Sequence, residues 1–462
     1  MKYTSSMQNK FLRFTIISIS LGVFISLKSF SISQNTSTSP YSSYGFGERE
    51  GLDHAIFAGI GNTKITYFDS TTLNFFNPAS YNTIAKGQPI FSTGISSRLS
   101  LYKEGNTSNF LKAILLNHFS MALSFAKHFG LAIGLKPFSR RGYEFFTKEL
   151  LVTDSIQHTY LGSGSTNEAF LGISSNLFKF KNSQLAIGGN VGYVFGTLTN
   201  ERRSNLIGST SGGIDQKTLK INAFHYEIGM YYKQEINRKN SLTISAVVEP
   251  SQVFNSYQQT NLFNSKFIDN SLYYNKLDST DFIKGTIKIA PSSTIGLNYS
   301  FKFRDIKKET QIRNSEISFH SSFNKTNWSS YRSTFSNVES NPNYKNTDKL
   351  TIGIQYIPEV SFLGQVGTTN FFETIRYRVG YYQYSLPIIV NGLSITDIGT
   401  TIGFGLPIRI QKSLSSVNLG FTYGKRSNGV KTALNEQYYG INLSVIFAPA
   451  NFERWFVKRK LD

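Results

Sequence analysis

The sequence has no cysteine, few charged residues and, beyond its N-terminal region, no long uninterrupted apolar run. The absence of cysteine excludes disulfide bonds, thiolate metal sites and a lipid-anchored cysteine. Charged residues make up 16% of the 462 residues, below the share of about 25% found in an average soluble protein. Because no run of about 18 apolar residues follows the N-terminal region, helical membrane spans are not expected.

The sequence also lacks a recognisable catalytic or cofactor motif. Its six histidines are dispersed and do not stand at metal-ligand spacing. No G-x-S-x-G elbow, Walker A loop or dinucleotide fingerprint is present. We therefore expect no enzyme, no cofactor and no metal site.

The formal net charge is +20, but the lysines and arginines are scattered along the chain and build no single basic stripe. Nucleic-acid binding is therefore not expected. Contact with outer-membrane lipids and lipopolysaccharide, whose headgroups are anionic, would account for the charge. An electropositive lumen or generally basic solvated loops would account for it equally well.

What the chain does have is regular alternation of apolar residues with small or polar ones. Between Gln184 and Leu198 one face carries Leu, Ile, Val, Tyr and Phe, and the other carries Gln, Ala, Gly and Asn. Period two predicts a β-strand, and the pattern recurs over residues 89–448 at the length a tilted strand needs to cross a membrane. A face of Gly, Ser and Asn cannot form a dry core, whereas a barrel lumen explains it. We predict an all-β fold, a transmembrane antiparallel β-barrel of about 14 strands, with twelve and sixteen as alternatives.

The two ends of the chain differ from the strand region. Residues 1–33 combine basic residues, an apolar stretch at 14–25 and a small-x-small site, which predicts a signal peptide. Residues 34–88 alternate poorly and are rich in Gly, Asn, Pro and aromatic residues, which favours a plug packed inside the barrel over a disordered periplasmic leader. The basic, aromatic tail at 449–462 suits a membrane interface or a partner surface.

The connections between strands are predicted from polar stretches. Long extracellular loops are expected at 201–216, 258–283 and 325–347, which are rich in Asn, Ser and Lys. Short periplasmic turns are expected at 181–184 and 237–241.

Two groups of residues are candidates for function. One group consists of plug candidates and the other of lumen-lining candidates. For the lumen-lining group, the simplest interpretation is that its residues only line the lumen. The alternatives are pairing with the plug, substrate selection by the arginines, and acid/base work by His225 with Glu227. The plug candidates, which suit a compact and backbone-rich segment, are Gly59, Gly61, Asp69, Asn77 and Pro78. The lumen-lining candidates are His225, Glu227, Lys302, Arg376 and Arg378.

The Gly-rich stretch 58–63, Asp69 and the Asn-Pro-Ala motif at 77–79 stand just before the first strand. With the strand pattern, they resemble the FadL-like outer-membrane transporters. The resemblance implies a fourteen-stranded barrel with an N-terminal hatch that moves hydrophobic molecules. A Bacteroidota-type branch of outer-membrane proteins is closer still, on the motifs at 39–45, 136–143 and 453–460.

The resemblance leaves two functions open. The first is passive transport of small hydrophobic solutes across the cell outer membrane, gated by the plug. The alternative is a structural or accessory subunit of an outer-membrane secretion or assembly complex that transports nothing, because some relatives of FadL have such roles. The expected partners are accordingly a hydrophobic small molecule or other proteins of an outer-membrane complex.

Overall fold

A computed structural model describes most of the mature chain. The predicted signal peptide and the predicted C-terminal tail lie outside the described residues, as do residues 34–38 of the predicted plug region. Of the described residues, no helix has both the length and the apolar character to cross a membrane. The described ranges are 39–49, 54–105, 107–125, 128–151, 154–268, 271–308, 311–358, 371–390, 392–408, 415–430 and 433–448.

Strands make up almost all of the wall, as the alternating sequence predicts. Twenty strand segments, numbered in chain order, form one antiparallel sheet. They are β1 Ile90–Glu104, β2 Thr107–Leu123, β3 Phe129–Arg140, β4 Tyr143–Leu150, β5 Ser155–Lys179, β6 Ser183–Leu206, β7 Ser211–Glu235, β8 Asn240–Glu249, β9 Val253–Ile268, β10 Ser271–Ser279, β11 Ile283–Lys288, β12 Ser292–Lys308, β13 Gln311–Thr326, β14 Arg332–Phe335, β15 Val338–Ser340, β16 Thr347–Ile357, β17 Arg376–Val390, β18 Leu393–Pro407, β19 Ser416–Ser427 and β20 Asn435–Phe447.

The sheet closes on itself, because β1 pairs with β2 on one side and with β20 on the other. Several segments continue one another across short interruptions: β3 with β4, β8 with β9, β10 with β11 and β12, β13 with β14, and β15 with β16. Joined in this way they form a closed barrel of 14 antiparallel strands, which confirms the predicted fold class. Closure joins the first strand to the last, as a lipid environment favours.

The two faces of each strand divide as the alternation predicts. In β6, Ile187 and Val191 are 40% and 57% exposed on the outside, whereas Ala186 and Asn190 are buried on the inside. The outward apolar stretch of β6 ends at Phe195, close to the roughly 9–11 residues that a tilted strand needs to cross a bilayer. Since β6 has 24 residues, its second half extends beyond the apolar band.

The predicted long loops were wrong, and the predicted short turns were confirmed. The stretch 201–216 is the tip of the β6–β7 hairpin, with a turn only at 207–210. Likewise 258–283 consists mostly of β9 and β10, and 325–347 contains β14, β15 and a short 3-10 helix. The turns after β5 and β7 fall where they were predicted. We call the end with the long hairpins the outer end, since longer connections are extracellular in such barrels, and the opposite end, where β1 begins and β20 ends, the inner end.

Residues 39–49 and 54–88, here called the inner segment, pack against the inside of the wall. The segment contains 3-10 helices at Pro40–Ser43 and Pro78–Thr83 and one helical turn, α1, at Ala55–Gly59. Asn77 begins the second 3-10 helix by accepting a hydrogen bond from the Ala79 N–H at 3.1 Å. Pro78, which needs no hydrogen-bond partner for its nitrogen, follows at the first helical position. A second helix of the chain, α2, covers Phe371–Thr374 at the inner end.

The wall accommodates the inner segment with a ring of glycines on its lumen face. At each of nine glycines a Cβ atom would lie within 3.0 Å of an inner-segment atom; at Gly380 it would lie 2.0 Å from the backbone nitrogen of Gly61. Any other residue would therefore push the segment away from the wall. The nine positions, each from a different barrel strand, are Gly130, Gly172, Gly188, Gly229, Gly296, Gly353, Gly380, Gly403 and Gly420.

Candidate functional site

The barrel wall has an interruption between β2 and β3. These segments pair only over Phe119–Leu123 of β2, and no ladder pair among the described residues joins 107–118 to 136–150. The cause lies in the sequence: Pro137 cannot donate a hydrogen bond to a ladder, and the register of β3 with β5 shifts between Pro137 and Ser139. The chain turns inwards here, so that Arg140 and its neighbours are buried in the lumen.

The inner segment covers this interruption from inside. Glu48 and Arg140 form a two-residue antiparallel bridge, with backbone N–H···O distances of 2.7 and 2.9 Å. Ser139 donates from its hydroxyl to the Phe46 carbonyl at 2.7 Å. Arg141 donates to the Gly45 carbonyl at 2.7 Å. The inner segment thus supplies the hydrogen-bond partners that β2 does not.

An aromatic cluster fills the lumen behind the interruption. Phe46 of the inner segment stacks on Phe138 of β3 with ring centroids 5.8 Å apart, and Phe138 contacts Phe254 of β9 at 5.6 Å. Trp328 and Tyr331 close the cluster from the opposite wall. All five side chains are at most 5% exposed, so this part of the lumen is filled with apolar groups.

A buried charge cluster, the Arg49 cluster, lies next to the aromatic cluster. Arg49 of the inner segment pairs with Glu249 at 2.8 Å. His225 contacts Glu249 through Nε2 at 2.9 Å and Glu168 through Nδ1 at 3.0 Å. Because a carboxylate can only accept, both ring nitrogens donate, which requires the charged imidazolium. The two carboxylates therefore share Arg49 and His225 as counterions.

The rest of the Arg49 cluster surrounds Lys136. Its ammonium lies 3.4 Å from Glu168 and 3.4 Å from Glu227. Glu227 also accepts a hydrogen bond from Asn190 at 2.8 Å. The predicted lumen residues His225 and Glu227 thus belong to one network, but each contacts other partners, so the structure brings together no acid/base pair of these two.

A second interruption of the wall lies beside the Arg49 cluster. Strand β7 pairs with β9 up to Ile221 and with β8 from Ile228, and the stretch between has no ladder partner on that side. Gln252 replaces the ladder: its amide accepts from the Tyr226 N–H at 2.8 Å and donates to the Tyr226 carbonyl at 3.0 Å. Here a side chain of the wall itself, and not the inner segment, closes the gap.

A second buried charge cluster, the Arg426 cluster, fixes the beginning of the inner segment near the outer end. The Arg426 guanidinium contacts Glu48 of the inner segment and Asp397 of β18, the latter at 2.6 Å. It lies 3.7 Å from Glu436, which also binds Arg98 at 2.7 Å. Arg426 is 1% exposed, so these charges are almost completely removed from water.

The predicted plug residues lie where the inner segment touches the wall. Gly59 faces Gly403, and the Gly61 N–H donates to the Thr401 hydroxyl at 2.8 Å. Asn77 and Pro78 rest on Gly229. These contacts leave no room for a larger side chain on the wall.

Asp69 and Arg376 form an ion pair between the inner segment and the wall, at 2.7 Å. Asp69 also accepts from the Thr71 N–H at 3.1 Å. Burial alone would raise the pKa of Asp69, but the attraction and hydrogen bond of Arg376, with those of Thr71, lower it below the ordinary value of 3.8. Asp69 is therefore ionised at neutral pH.

His54, which precedes α1, is buried in the middle of the lumen. Its Nδ1 accepts from the Ile56 N–H at 3.1 Å, and its ring lies 4.8 Å from that of His118. Burial, then His118, then the Arg378 guanidinium hold the pKa of His54 well below 6.5. The neutral ring matches its role as a hydrogen-bond acceptor.

Arg378 and Lys302, the remaining predicted lumen residues, differ in burial. Arg378 is 3% exposed and donates to two amide oxygens, Gln355 at 2.7 Å and Asn418 at 3.2 Å. Among the described residues it has no carboxylate within ion-pair distance. Lys302 is half exposed at the inner end, 3.8 Å from Glu316.

The prediction from sequence missed most of the charged residues that hold the inner segment. Arg49, Glu48, Glu168, Glu249 and Arg426 were not singled out. A usable signal existed for the wall residues, since a charged residue on the small, polar face of a strand must lie in the lumen. Their pairing partners lie up to 378 residues apart in the chain, and only the barrel register reveals them.

Together, the closed 14-strand wall, the outward apolar band and the lumen filled by an N-terminal segment define an integral outer-membrane β-barrel of the FadL type. The chain is similar in fold to the P. putida toluene transporter TodX (TM-score 0.54, 15% identity, 87% of this chain and 99% of the other). It is also similar to a Pseudomonas aeruginosa FadL homologue (TM-score 0.52, 12% identity, 85% and 98%) and to the Ralstonia pickettii toluene transporter TbuX (TM-score 0.51, 11% identity, 86% and 98%). At such identities the likeness concerns the fold alone.

The sequence assigns the chain more narrowly. The family model described as BamG matches residues 15–462, and the chain belongs to the BamG family. No curated protein sequence matches it.

Proposed function

We propose that this protein lets small hydrophobic solutes pass the outer membrane passively, with the inner segment acting as the plug. The observation that carries the proposal is the interruption between β2 and β3, where among the described residues the inner segment covers the lumen side and the Arg140 guanidinium donates across the gap to the Leu116 carbonyl at 3.3 Å. A barrel that merely anchored a complex would need neither the inward turn at Pro137 nor a removable cover. The fold likeness to two proteins described as toluene transporters supports the same reading.

The distribution of polarity inside the lumen supports a sideways route. The aromatic cluster around Phe46 and Phe138 offers apolar surface in the outer half. The inner end, by contrast, is lined by hydroxyl, amide and charged groups. A hydrophobic solute that passed there would displace water from these groups, which is unfavourable in free energy. Outside the interruption, Phe110, Ile114 and Leu116 of β2 are exposed to the membrane. A solute that leaves between β2 and β3 would pass from the aromatic cluster to the apolar outer face of β2, beside the buried Arg140.

Passage requires the inner segment to move, and a reversible crosslink tests this. The chain has no native cysteine, and a Cβ at Gly420 of the wall would lie 3.2 Å from the Cβ of Ala58, slightly closer than the usual spacing of about 3.5–4.5 Å between bridged Cβ atoms. We expect oxidised A58C/G420C to abolish uptake of labelled toluene by cells whose outer leaflet contains lipopolysaccharide. Reduction should restore uptake. The single variant G420C, whose Cβ meets the Ala55 carbonyl at 2.8 Å just as in the double variant, measures the effect of the substitution without the crosslink.

Two outcomes would contradict the proposal in different ways. Equal uptake by the oxidised and reduced variant would show that the inner segment does not gate passage. Wild-type uptake no faster than that of cells expressing an unrelated barrel would remove transport altogether.

The second candidate is a non-transporting accessory subunit of an outer-membrane complex, and the filled lumen favours it. Two cavities in the described part of the lumen measure about 470 and 200 Å³, and the Arg49 and Arg426 clusters connect the inner segment to the wall. Purification in mild detergent, with lipid analysis of the product, separates the two functions. Stoichiometric protein partners without bound apolar solute would support the accessory role.

A further inference from the structure

The inner end of the lumen holds a chamber that the proposed transport does not use. It has a volume of about 470 Å³, within the range of roughly 300–1,000 Å³ typical of small-molecule sites. The inner segment forms one side of it through Thr66–Thr71, and β7, β8, β12, β13, β16 and β17 form the other. Its lining is polar, unlike the aromatic cluster above it.

Positive charge prevails in and around this chamber. Lys233, Lys302 and Arg376 line it, against the carboxylates of Asp69 and Glu316. Asp69 is fully engaged, because Arg376 and Thr71 both donate to it. The chamber itself therefore keeps two lysines against one carboxylate.

The lysines are only loosely paired. The Lys302 ammonium lies 3.8 Å from Glu316, and that of Lys233 lies 3.7 Å from Glu235. Each ammonium has three donors, and such long contacts between partly exposed groups contribute little to stability. Both side chains can therefore turn towards a ligand with little loss.

A buried cation behind the chamber adds to the positive potential. Arg378 donates to Gln355, whose side chain lines the chamber. Its Nη2 has no hydrogen-bond partner, and both partners of its other nitrogens are neutral amides. The Tyr67 hydroxyl and the Asp69 carboxylate offset part of the cost of burying this charge, and an anion bound in the chamber would offset more of it.

Hydroxyl groups complete the lining. Ser241, Thr243, Ser300 and Ser318 come from neighbouring wall strands and all line the chamber. Such groups both donate and accept, which suits the hydroxyls of a polar ligand.

From this arrangement we propose that the inner-end chamber binds a small, hydroxylated oxyanion from the periplasmic side. Lys233 and Lys302 receive the phosphate or carboxylate group, and the wall hydroxyls bind the remainder of the molecule. Asp69 and Arg376 hold the inner-segment side of the chamber in place. The proposal does not depend on solute transport, because the inner segment forms one side of the chamber and stays in position.

Glucose 6-phosphate is a suitable probe, because it combines an oxyanion with several hydroxyls. We expect it to bind the detergent-solubilised, full-length protein in titration calorimetry, and to bind more tightly than either inorganic phosphate or glucose alone. Lys233→Gln with Lys302→Gln should weaken its affinity at least about tenfold, since each lysine supplies a charge-assisted hydrogen bond. The matched control is Lys179→Gln with Lys181→Gln, which removes two exposed lysines at the same end and should leave the affinity unchanged.

A further variant changes the affinity in the opposite direction. Glu316→Gln removes the carboxylate that competes for Lys302, so it should tighten binding of glucose 6-phosphate. Equal affinity in the Lys233/Lys302 variant and its control would overturn the proposal, as would weaker binding by Glu316→Gln. If inorganic phosphate binds as tightly as the sugar phosphate, or if nothing binds, the chamber is not a site for a hydroxylated oxyanion.

Discussion

Replacing Arg426 by methionine should release the beginning of the inner segment while leaving the barrel closed. The substitution keeps most of the side-chain volume but leaves Glu48 and Asp397 buried without a cation. Glu436 retains Arg98 at 2.7 Å, so the loss affects the contact of Glu48 with the wall and the Arg426–Asp397 pair within the wall. Removing one partner of a buried ion pair costs about 3–5 kcal/mol. Moving Glu48 into water relieves much of that cost.

The size of the effect follows from this free energy. Since about 1.4 kcal/mol corresponds to a factor of ten, the population of the released segment should rise roughly 10²- to 10³-fold. Amide hydrogen exchange measures this population directly when the segment recloses faster than its exposed amides exchange. The Glu48 N–H, which donates to the Arg140 carbonyl at 2.7 Å, should lose protection by that factor, and the peptides covering residues 39–49 should follow it.

Two controls separate this effect from general damage. Arg202→Met removes an arginine that is half exposed near the same end, 3.8 Å from Asp215, and should change nothing at residues 39–49. Adding Glu48→Gln and Asp397→Asn to Arg426→Met removes the uncompensated charges and should restore most of the protection. Suppose that the Arg426→Met protein folds and stays heat-modifiable and yet shows unchanged hydrogen exchange at residues 39–49. That result would refute the conclusion that the Arg426 cluster holds the beginning of the segment.

Three further perturbations test the remaining contacts. Deleting residues 41–80 should leave an inserted barrel, because the strands of the wall pair with one another. The deletion should raise single-channel conductance in planar bilayers from near silence to resolved steps. A deletion variant that does not conduct would show that the segment does not occlude the lumen. Gly380→Val should destabilise the protein by roughly 1–3 kcal/mol through overpacking against Gly61, seen as a lower midpoint of thermal unfolding, whereas Gly213→Val, whose Cβ would meet nothing closer than 4.0 Å, should be neutral. His54 has a lowered pKa while the segment is bound in the lumen and an ordinary pKa when the segment is released. Retention of the segment, measured by hydrogen exchange, should therefore be complete above about pH 6.5 and weaken as the pH falls below that value. The variant His54→Gln should show a flatter pH dependence, and an equally steep one would assign the effect to another group.

The barrel could be predicted from sequence because the membrane imposes a pattern on every strand. Ile187 and Val191 face lipid while Ala186 and Asn190 face the lumen. In the sequence this division is visible as apolar residues at every second position. The same reasoning failed at 201–216, because a hairpin outside the membrane has polar residues on both faces. Its strand structure depends on register with its neighbours, which hydrophobicity does not encode.

The candidate site was only partly accessible from sequence for a related reason. Arg376 and Arg378 could be placed in the lumen from alternation alone. The contacts of Arg376 with Asp69 and of Arg49 with Glu249 depend on the path that the inner segment takes inside the barrel. The sequence of that segment has no regular alternation. No local feature of the chain specifies that path.

The ring of glycines bears on the order in which the molecule is completed. The segment is early in the chain, yet α1 rests on β17, β18, β19 and β20, which are synthesised last, whereas the helix at Pro78–Thr83 rests on β3, β5, β6 and β7. The first half of the inner segment therefore lacks part of its contact surface until the C-terminal third of the chain has joined the sheet. Because the glycine positions leave no space between wall and segment, the segment fits more easily before the wall is complete. We therefore expect closure of β20 on β1 and occupation of the lumen by the inner segment to be coupled in assembly.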